Sequence, residues 1–378
     1  MTKILATLLL VLLALTLVAC GDEGQPPPTG AASPPPAKAD GQPPGQRTTD
    51  VVCDKFAAPE GSDSTDGGEA TPFETVQALA DSLAAGEIGC LREGTYVAED
   101  EDDHDEVLTL DHGGEDGSPI VISGYPGESA TIEGIVTVPE GSDDVILNNL
   151  VIEGNGESNT VKVYSEDVVV ENSEITNEGR GLSCMILGSN DGDGQAVRTV
   201  VRGNLFRDCG SEDNDNKDHG IYASNVVDGE IVGNVIYGSA AYAIQLYPNA
   251  QGTRFAHNVI DGGGSSVRGG VAFGGDDHYA SSNNVVERNV IAYSATLNIT
   301  SSWDEEIGDG NVARENCLWQ GDEGEILSDG GFEAISNVEA DPGFRSRGDR
   351  DYRLDPSGTC RERVGYDPAA RLSDAAAR

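Results

Sequence analysis

Lys217-Asp218-His219-Gly220-Ile221-Tyr222 brings an ammonium, a carboxylate, an imidazole and a phenol into one short stretch. Such a set can run acid–base chemistry. A carboxylate orients an imidazole and raises its proton affinity, the imidazole of His219 takes a proton as general base, and the phenol of Tyr222 returns one as acid. Lys217 would neutralise an anionic group on the substrate, with Arg254 or Arg268 assisting. Just upstream, Asp213 and Asp215 alternate with asparagines. With Asp218 they offer the oxygen ligands that Ca2+ takes, in a spacing that matches half a calcium loop without its glycine. Asp276-Asp277-His278 is a second histidine–carboxylate group, Asp304 adds a carboxylate, and Tyr247 and Trp303 are flat surfaces on which sugar rings stack. The competing reading makes the acidic runs a solvated coat, the histidines ordinary turn residues, and the aromatics covers for loop backbone.

These residues hang on a repeat. The pattern apolar-x-x-Asn-x-apolar recurs with its asparagine at Asn204, Asn234, Asn258, Asn289 and Asn316, spaced 30, 24, 31 and 27 apart. Two earlier segments fit with Ser173 and Leu150 in the asparagine position. A second strand recurs around Ile221, Ile244, Val271 and Ile299. Each repeat is too small to bury its own core, so the units must stack. Asparagine tolerates a left-handed turn, and amides stacked at one corner of successive coils can bond into a ladder. If Ile221, Ile244, Val271 and Ile299 face inward, alternation turns Tyr222, Gln245, Ala272 and Thr300 outward. The chain lengthens on both sides of this strand, at 210–219, 274–283 and 301–310. Those insertions outline a groove with a small, polar floor that suits a sugar chain, where Gln245, Tyr247, Arg268, Asp277, His278, Trp303 and Asp304 would touch substrate.

The remainder of the chain says where such a stack would work. Residues 1–20 hold Lys3, an apolar run and Leu17-Val18-Ala19-Cys20, which is similar to the lipobox of bacterial lipoproteins and makes Cys20 the expected lipid anchor. Residues 21–50 carry two proline triplets and read as a disordered tether, 51–365 as the folded domain and 366–378 as a polar tail. The expected place is the extracytoplasmic face of a membrane. The other six cysteines then favour disulfides. Fifteen connectivities are possible; the simplest joins sequence neighbours, Cys53–Cys90, Cys184–Cys209 and Cys317–Cys360. With 66 acidic against 23 basic residues and a net charge of -43, the chain repels phosphate backbones, so nucleic acid is excluded as a partner. At the start of the stack, Thr71-Pro72-Phe73-Glu74 reads as a capping box opening a helix with Val76, Leu79, Ala80 and Leu83 on its apolar face, ended by Gly86. That helix would cover the end of the stack, and Cys53–Cys90 could pin it.

Residues 51–365 resemble secreted right-handed parallel β-helix proteins of the pectate-lyase-like superfamily. The resemblance rests on the asparagine ladder, Gly94-Thr95-Tyr96, Pro119-Ile120-Val121-Ile122 leading to Tyr125-Pro126-Gly127-Glu128, Ala340-Asp341-Pro342-Gly343-Phe344, and Asp351-Tyr352-Arg353-Leu354. It implies an all-β solenoid with polysaccharide as partner, and it leaves three activities open. One is a lyase or epimerase on uronic-acid glycans, using His219, Tyr222, Lys217 and Asp218, with Ca2+ as the implied cofactor. Another is a hydrolase on neutral glycans, using two of Asp218, Asp276, Asp277 and Asp304. The third is a non-catalytic carbohydrate-binding scaffold.

Overall fold

A computed structural model of the chain describes residues 51–98, 106–156, 158–211, 218–264, 268–301, 305–365 and 367–369. Cys20, Asp213, Asp215, Lys217, Trp303 and Asp304 lie outside these residues. Short strands separated by turns wind into coils, and each coil adds one strand to each of three parallel sheets. The first sheet runs from Lys55–Ala57 to Glu333–Ile335, the second from Gly94–Val97 to Val338–Glu339, and the third from Glu106–Thr109 to Gly324–Leu327. This is the all-β parallel solenoid expected from the repeat.

In-register stacking makes the core. Val170, Val201, Ile231, Phe255, Val286 and Ala313 pair in one row of the first sheet, and Ile175, Phe206, Ile236, Ile260 and Ile291 in one row of the second. All are fully buried. Two-residue alternation therefore repeats the same inward choice coil after coil.

The corner between the first and second sheets carries the ladder. Asn204 Nδ2 donates to Asn234 Oδ1 at 3.1 Å, and Asn234, Asn258, Asn289 and Asn316 continue the chain to Asn337 at 2.9 to 3.0 Å. Ser173 and Leu150 extend it as expected: Leu150 N donates to Ser173 Oγ and Ser173 N to Asn204 Oδ1. The left-handed residue, however, is the one before each asparagine: Gly203, Gly233, His257, Arg288 and Glu315, with φ of 65°, 68°, 57°, 51° and 54°. The bend removes backbone partners, and the asparagine that follows turns its buried amide inward to replace them. A second, shorter ladder, Asn284 to Asn311 at 3.0 Å, stands at the corner from the third sheet to the first.

The capping helix forms at Val76–Ser82, later than the capping box predicts. Phe73 is held extended by Phe56 and Ala58, so the helix starts only at Thr75, whose Oγ1 accepts Ala78 N at 3.1 Å. Val76, Leu79, Ala80 and Leu83 are buried as expected. The helix ends before Gly86, which takes φ 85° in the turn beyond. Leu79 lies close enough to Gly89 that a β-carbon there would come within 2.9 Å of it. The three disulfides join Cys53–Cys90, Cys184–Cys209 and Cys317–Cys360, with Cα separations of 5.7, 5.3 and 5.3 Å.

The C-terminal segment covers the outer surface of the second sheet. Tyr352, Leu354, Cys360, Val364 and Ala369 bury themselves against Val235, Tyr237, Val259, Val290 and Cys317. Arg347 holds Asp261 at 2.6 Å and Arg350 holds Asp208 at 2.8 Å. With Cys317–Cys360 these contacts fasten the segment as a strap.

Candidate functional site

The third sheet carries the residues singled out for chemistry. Its register sets Thr137, Lys162, Ile186, Tyr222, Gln245, Ala272 and Thr300 in one outward row. The alternation is as expected, but the row is not an open floor throughout. Gln245, Ala272 and Thr300 are only 5%, 0% and 4% exposed, while Tyr222 is half-buried. Outward side chains here are covered by what lies above the sheet, so the accessible part of the face centres on Tyr222.

The insertion before this strand is anchored at both ends. Cys209 leads into it, Cys184 N donates to His219 O at its exit, and the Cys184–Cys209 bridge ties the two. Ser211 N donates to Asp218 Oδ2 at 3.0 Å across its base. Asp218 and His219 are both buried, with His219 only 2% exposed.

The environment of His219 differs from the one expected of a general base. Tyr242 N donates to its Nδ1 at 3.2 Å, and the ring lies 5.9 Å from the Tyr242 ring and 5.5 Å from that of Tyr222. Burial pushes the imidazole down to about 3; a bond with Gln245 opposes the fall and Arg268 adds to it. Asp218 was expected to raise this histidine. What acts on the ring is instead burial and the Arg268 guanidinium, which favour the neutral form and outweigh the Gln245 amide that opposes them.

Tyr222 is the residue expected to donate a proton. Burial drives its phenol up to about 12; Ser224 works against the shift, and Tyr247, Asp191 and Asp276 add to it. The group therefore holds its proton at neutral pH and can donate it. Half-buried Tyr247 is also raised, by burial and by Asp276, Glu305 and Asp277. These carboxylates make the margin of the face acidic.

Other expected site residues are placed differently. Asp276 Oδ1 accepts His278 N at 2.8 Å and Tyr279 N at 2.7 Å, so this carboxylate shapes a turn instead of orienting the His278 ring. Asp277 and His278 are exposed at the loop tip. Arg268 lies over the Tyr242 ring at 5.8 Å, beside His219. Arg254, expected to assist at the groove, stands on the first sheet and binds Glu287 at 2.6 Å. Lys162 in the outward row is paired with Glu106 at 3.2 Å.

Sequence reading missed Tyr164, whose phenol is pushed up to about 12 by burial, then by Asp193 and Glu106. Its signal was the Val161-Lys162-Val163-Tyr164 alternation, one coil pair before Tyr222. It also missed Tyr242, which caps the His219 ring. Among the described residues, no group of three or more His, Cys, Asp or Glu is placed to hold a metal ion. No helix among them is long and apolar enough to cross a membrane.

No known protein-family signature matches the chain. A stretch of 79 residues is 35% identical to the uncharacterized protein YwoF of Bacillus subtilis (strain 168), covering 21% of this chain and 15% of that protein. Among solved structures, pectate lyase Pel9A superposes with a TM-score of 0.62 at 15% identity, over 82% of this chain and 92% of that one. A rhamnogalacturonan lyase superposes with a TM-score of 0.52 at 12% identity, over 76% and 86%. The fold is thus the right-handed parallel β-helix of pectate-lyase-like proteins.

Proposed function

We propose that the protein is a carbohydrate-active β-helix protein that takes a polysaccharide along the outer face of its third sheet, and that it is a lyase or epimerase for uronic-acid chains. The observation that carries this reading is the Tyr222 phenol. It is half-buried on an outward row, flanked by Tyr247, and held protonated by its surroundings. Its proton would go to the glycosidic oxygen in a lyase, or to the opposite ring face in an epimerase.

A uronate brings negative charge to an acidic margin, so its carboxylate must be neutralised. That role is proposed for Ca2+ held by Asp213 and Asp215, whose loop leads into Asp218. Lys217 is the remaining lysine of residues 51–365 once Lys55 is paired with Glu87 and Lys162 with Glu106. In its uncharged form it is proposed to take the α proton. Cys20 is proposed to tether the domain to the extracytoplasmic face of the membrane.

Asp191, Asp276, Asp277 and Glu305 all act on the two tyrosines. This favours one second reading, a hydrolase for neutral glycans working through two carboxylates. The test is incubation of the protein with acidic and neutral glycans, with and without Ca2+. A Ca2+-dependent rise in ultraviolet absorbance from unsaturated sugar ends supports a lyase, and a change of uronate epimer without cleavage supports an epimerase. Reducing ends without absorbance support the hydrolase, and no change in any glycan rejects both.

A further inference from the structure

We propose that Gln195, Asn225, Asn249 and Gln251 form a hydroxyl-binding strip on the third sheet, in which the amides orient one another and the oxygens at its two ends, Gln195 Oε1 and Gln251 Oε1, accept sugar O–H groups. The inference rests on the reading of that face as the polysaccharide site. It deepens that reading by naming an uncharged subsite that recognises hydroxyls and not carboxylates.

Register places the four side chains. Ala196, Val226 and Ala250 are buried in the core, so alternation turns Gln195, Asn225, Asn249 and Gln251 to the outer face. All four are partly exposed, and Asn249 and Gln251 follow half-buried Tyr247 along the strand Ile244–Gln251. Gln195, Asn225 and Asn249 belong to successive coils, so the row spans two coil rises, about 10 Å.

Two backbone carbonyls polarise the row. Asn225 Nδ2 donates to Ser189 O at 3.1 Å, and Gln251 Nε2 to Ala280 O at 2.9 Å. A carbonyl oxygen can only accept, so the NH2 group of each of these amides is fixed in place. Asn225 Oδ1 is thereby turned to its neighbours and accepts Gln195 Nε2 at 2.8 Å and Asn249 Nδ2 at 2.9 Å, which fills both of its lone pairs. Asn249 Oδ1 in turn accepts Gln251 Nε2 at 3.0 Å, and that nitrogen has then used both hydrogens. Among the described residues no donor reaches Gln195 Oε1 or Gln251 Oε1. The row therefore ends on each side in an oriented acceptor.

This row differs from the corner ladder. Asn204, Asn234, Asn258, Asn289 and Asn316 are buried and spend their NH2 groups on one another and on the backbone inside the solenoid. The outer row lies partly in solvent, and the loops that supply its two carbonyls flank it with carboxylates. Ser189 pairs with Gly194 across a loop holding exposed Asp191 and Asp193, and Gly275 pairs with Ala280 across a loop holding Asp276 and exposed Asp277. Between such loops a further carboxylate would repel a uronate chain. An amide oxygen takes the hydroxyls of that chain without adding charge.

The test joins a binding measurement with a spectrum, both on the full chain in the presence of Ca2+. Gln195→Ala and Gln251→Ala should each weaken retention of oligogalacturonate or oligomannuronate about three- to tenfold, the worth of one hydrogen bond to an uncharged acceptor. Asn225→Ala keeps both end oxygens and removes what orients them, so it should weaken retention as well. In the wild-type chain labelled with 15N, the retained glycan should move the side-chain NH2 signals of Gln195 and Gln251, a readout that needs no variant to fold. Retention unchanged in all three variants, or NH2 signals that stay in place while the glycan is held, would overturn the strip and leave the polysaccharide reading standing. Failure of the wild-type chain to retain either glycan would sink that reading and the strip with it.

Discussion

Asn258 and Asn289 are joined twice: Asn289 Oδ1 accepts both Asn258 N at 2.9 Å and Asn258 Nδ2 at 3.0 Å, in successive coils 31 residues apart. Asn289 Nδ2 in turn serves Phe255 O and Asn316 Oδ1, each at 3.0 Å. Asn289→Ala therefore leaves a buried backbone N–H and a buried carbonyl without these partners. The expected loss is about 2 to 4 kcal/mol of stability, from two buried groups left unsatisfied. Urea unfolding of wild type and variant measures it, and a loss below about 0.5 kcal/mol would show that the ladder is ornament.

Glu287 gives a pH prediction with a defined sign. Burial alone would raise its carboxyl, but Arg254 at 2.6 Å and Arg314 at 2.7 Å hold it below the ordinary range. A group lowered on folding contributes stability that is present above the unfolded value, about 4.3, and lost as pH falls through the folded one. The wild-type advantage over Glu287→Gln should accordingly be full at pH 7 and shrink below about pH 4. An advantage independent of pH would remove the two arginines from the account. Thermal unfolding of both proteins from pH 3 to 7 checks it.

The strap predicts a local effect. Cys317–Cys360 closes 43 residues, and the chain-entropy model makes such a cross-link worth about 4 kcal/mol against the unfolded chain. Cys360→Ser should raise hydrogen exchange in 340–364 first, ahead of the coils beneath, because only the apolar contacts of Tyr352, Leu354 and Val364 and the pairs Arg347–Asp261 and Arg350–Asp208 then hold the segment. Uniform loss of protection throughout the solenoid would mean that the strap and the coils unfold as one.

Tyr222 is the catalytic prediction. Tyr222→Phe keeps the ring beside His219 and removes the phenolic hydroxyl. On the substrate identified by the glycan panel, kcat should fall by about 10^2 to 10^4 with KM little changed, the range typical of a lost acid–base group. Equal kcat in the two proteins would exclude the phenol as acid.

Much of this architecture could be read from residue types because a solenoid repeats its instructions. Asn204, Asn234, Asn258, Asn289 and Asn316 mark one corner, Ile221 and Ile244 mark one inward row, and the cysteines of two bridges, Cys53–Cys90 and Cys184–Cys209, lie on adjacent coils. The bend itself was assigned one residue late, since Arg288 and Glu315 carry no sign of a left-handed backbone and take it only because the ladder asparagine must point inward. Helix onset slipped for a related reason: the Thr71 capping box is locally sound, but Phe73 gains more by joining the core next to Phe56.

The site was less legible. Asp218 and His219 are adjacent in sequence, yet their side chains answer to different partners, Ser211 on one side and Tyr242 with Gln245 on the other. Adjacency along a chain carries no information about which side chain faces which. The burial of Ala272 and Thr300 was likewise invisible, because alternation gives a side of the sheet and says nothing of what lies over it.

The strap runs along the flank of the second sheet, whereas the capping helix closes the opposite end of the stack. The final strands, Gly324–Leu327, Glu333–Ile335 and Val338–Glu339, therefore form the last course of each sheet. Between residues 315 and 344 the chain has eight carboxylates and no lysine or arginine. The molecule thus has polarity as an object: a sealed head, and a tail whose charge discourages another copy from adding a course. In such a body length is a free parameter. A whole coil duplicated near Asn234 or Asn258 would bring its own rung and its own three strands, lengthening the third sheet by about 5 Å without disturbing either end.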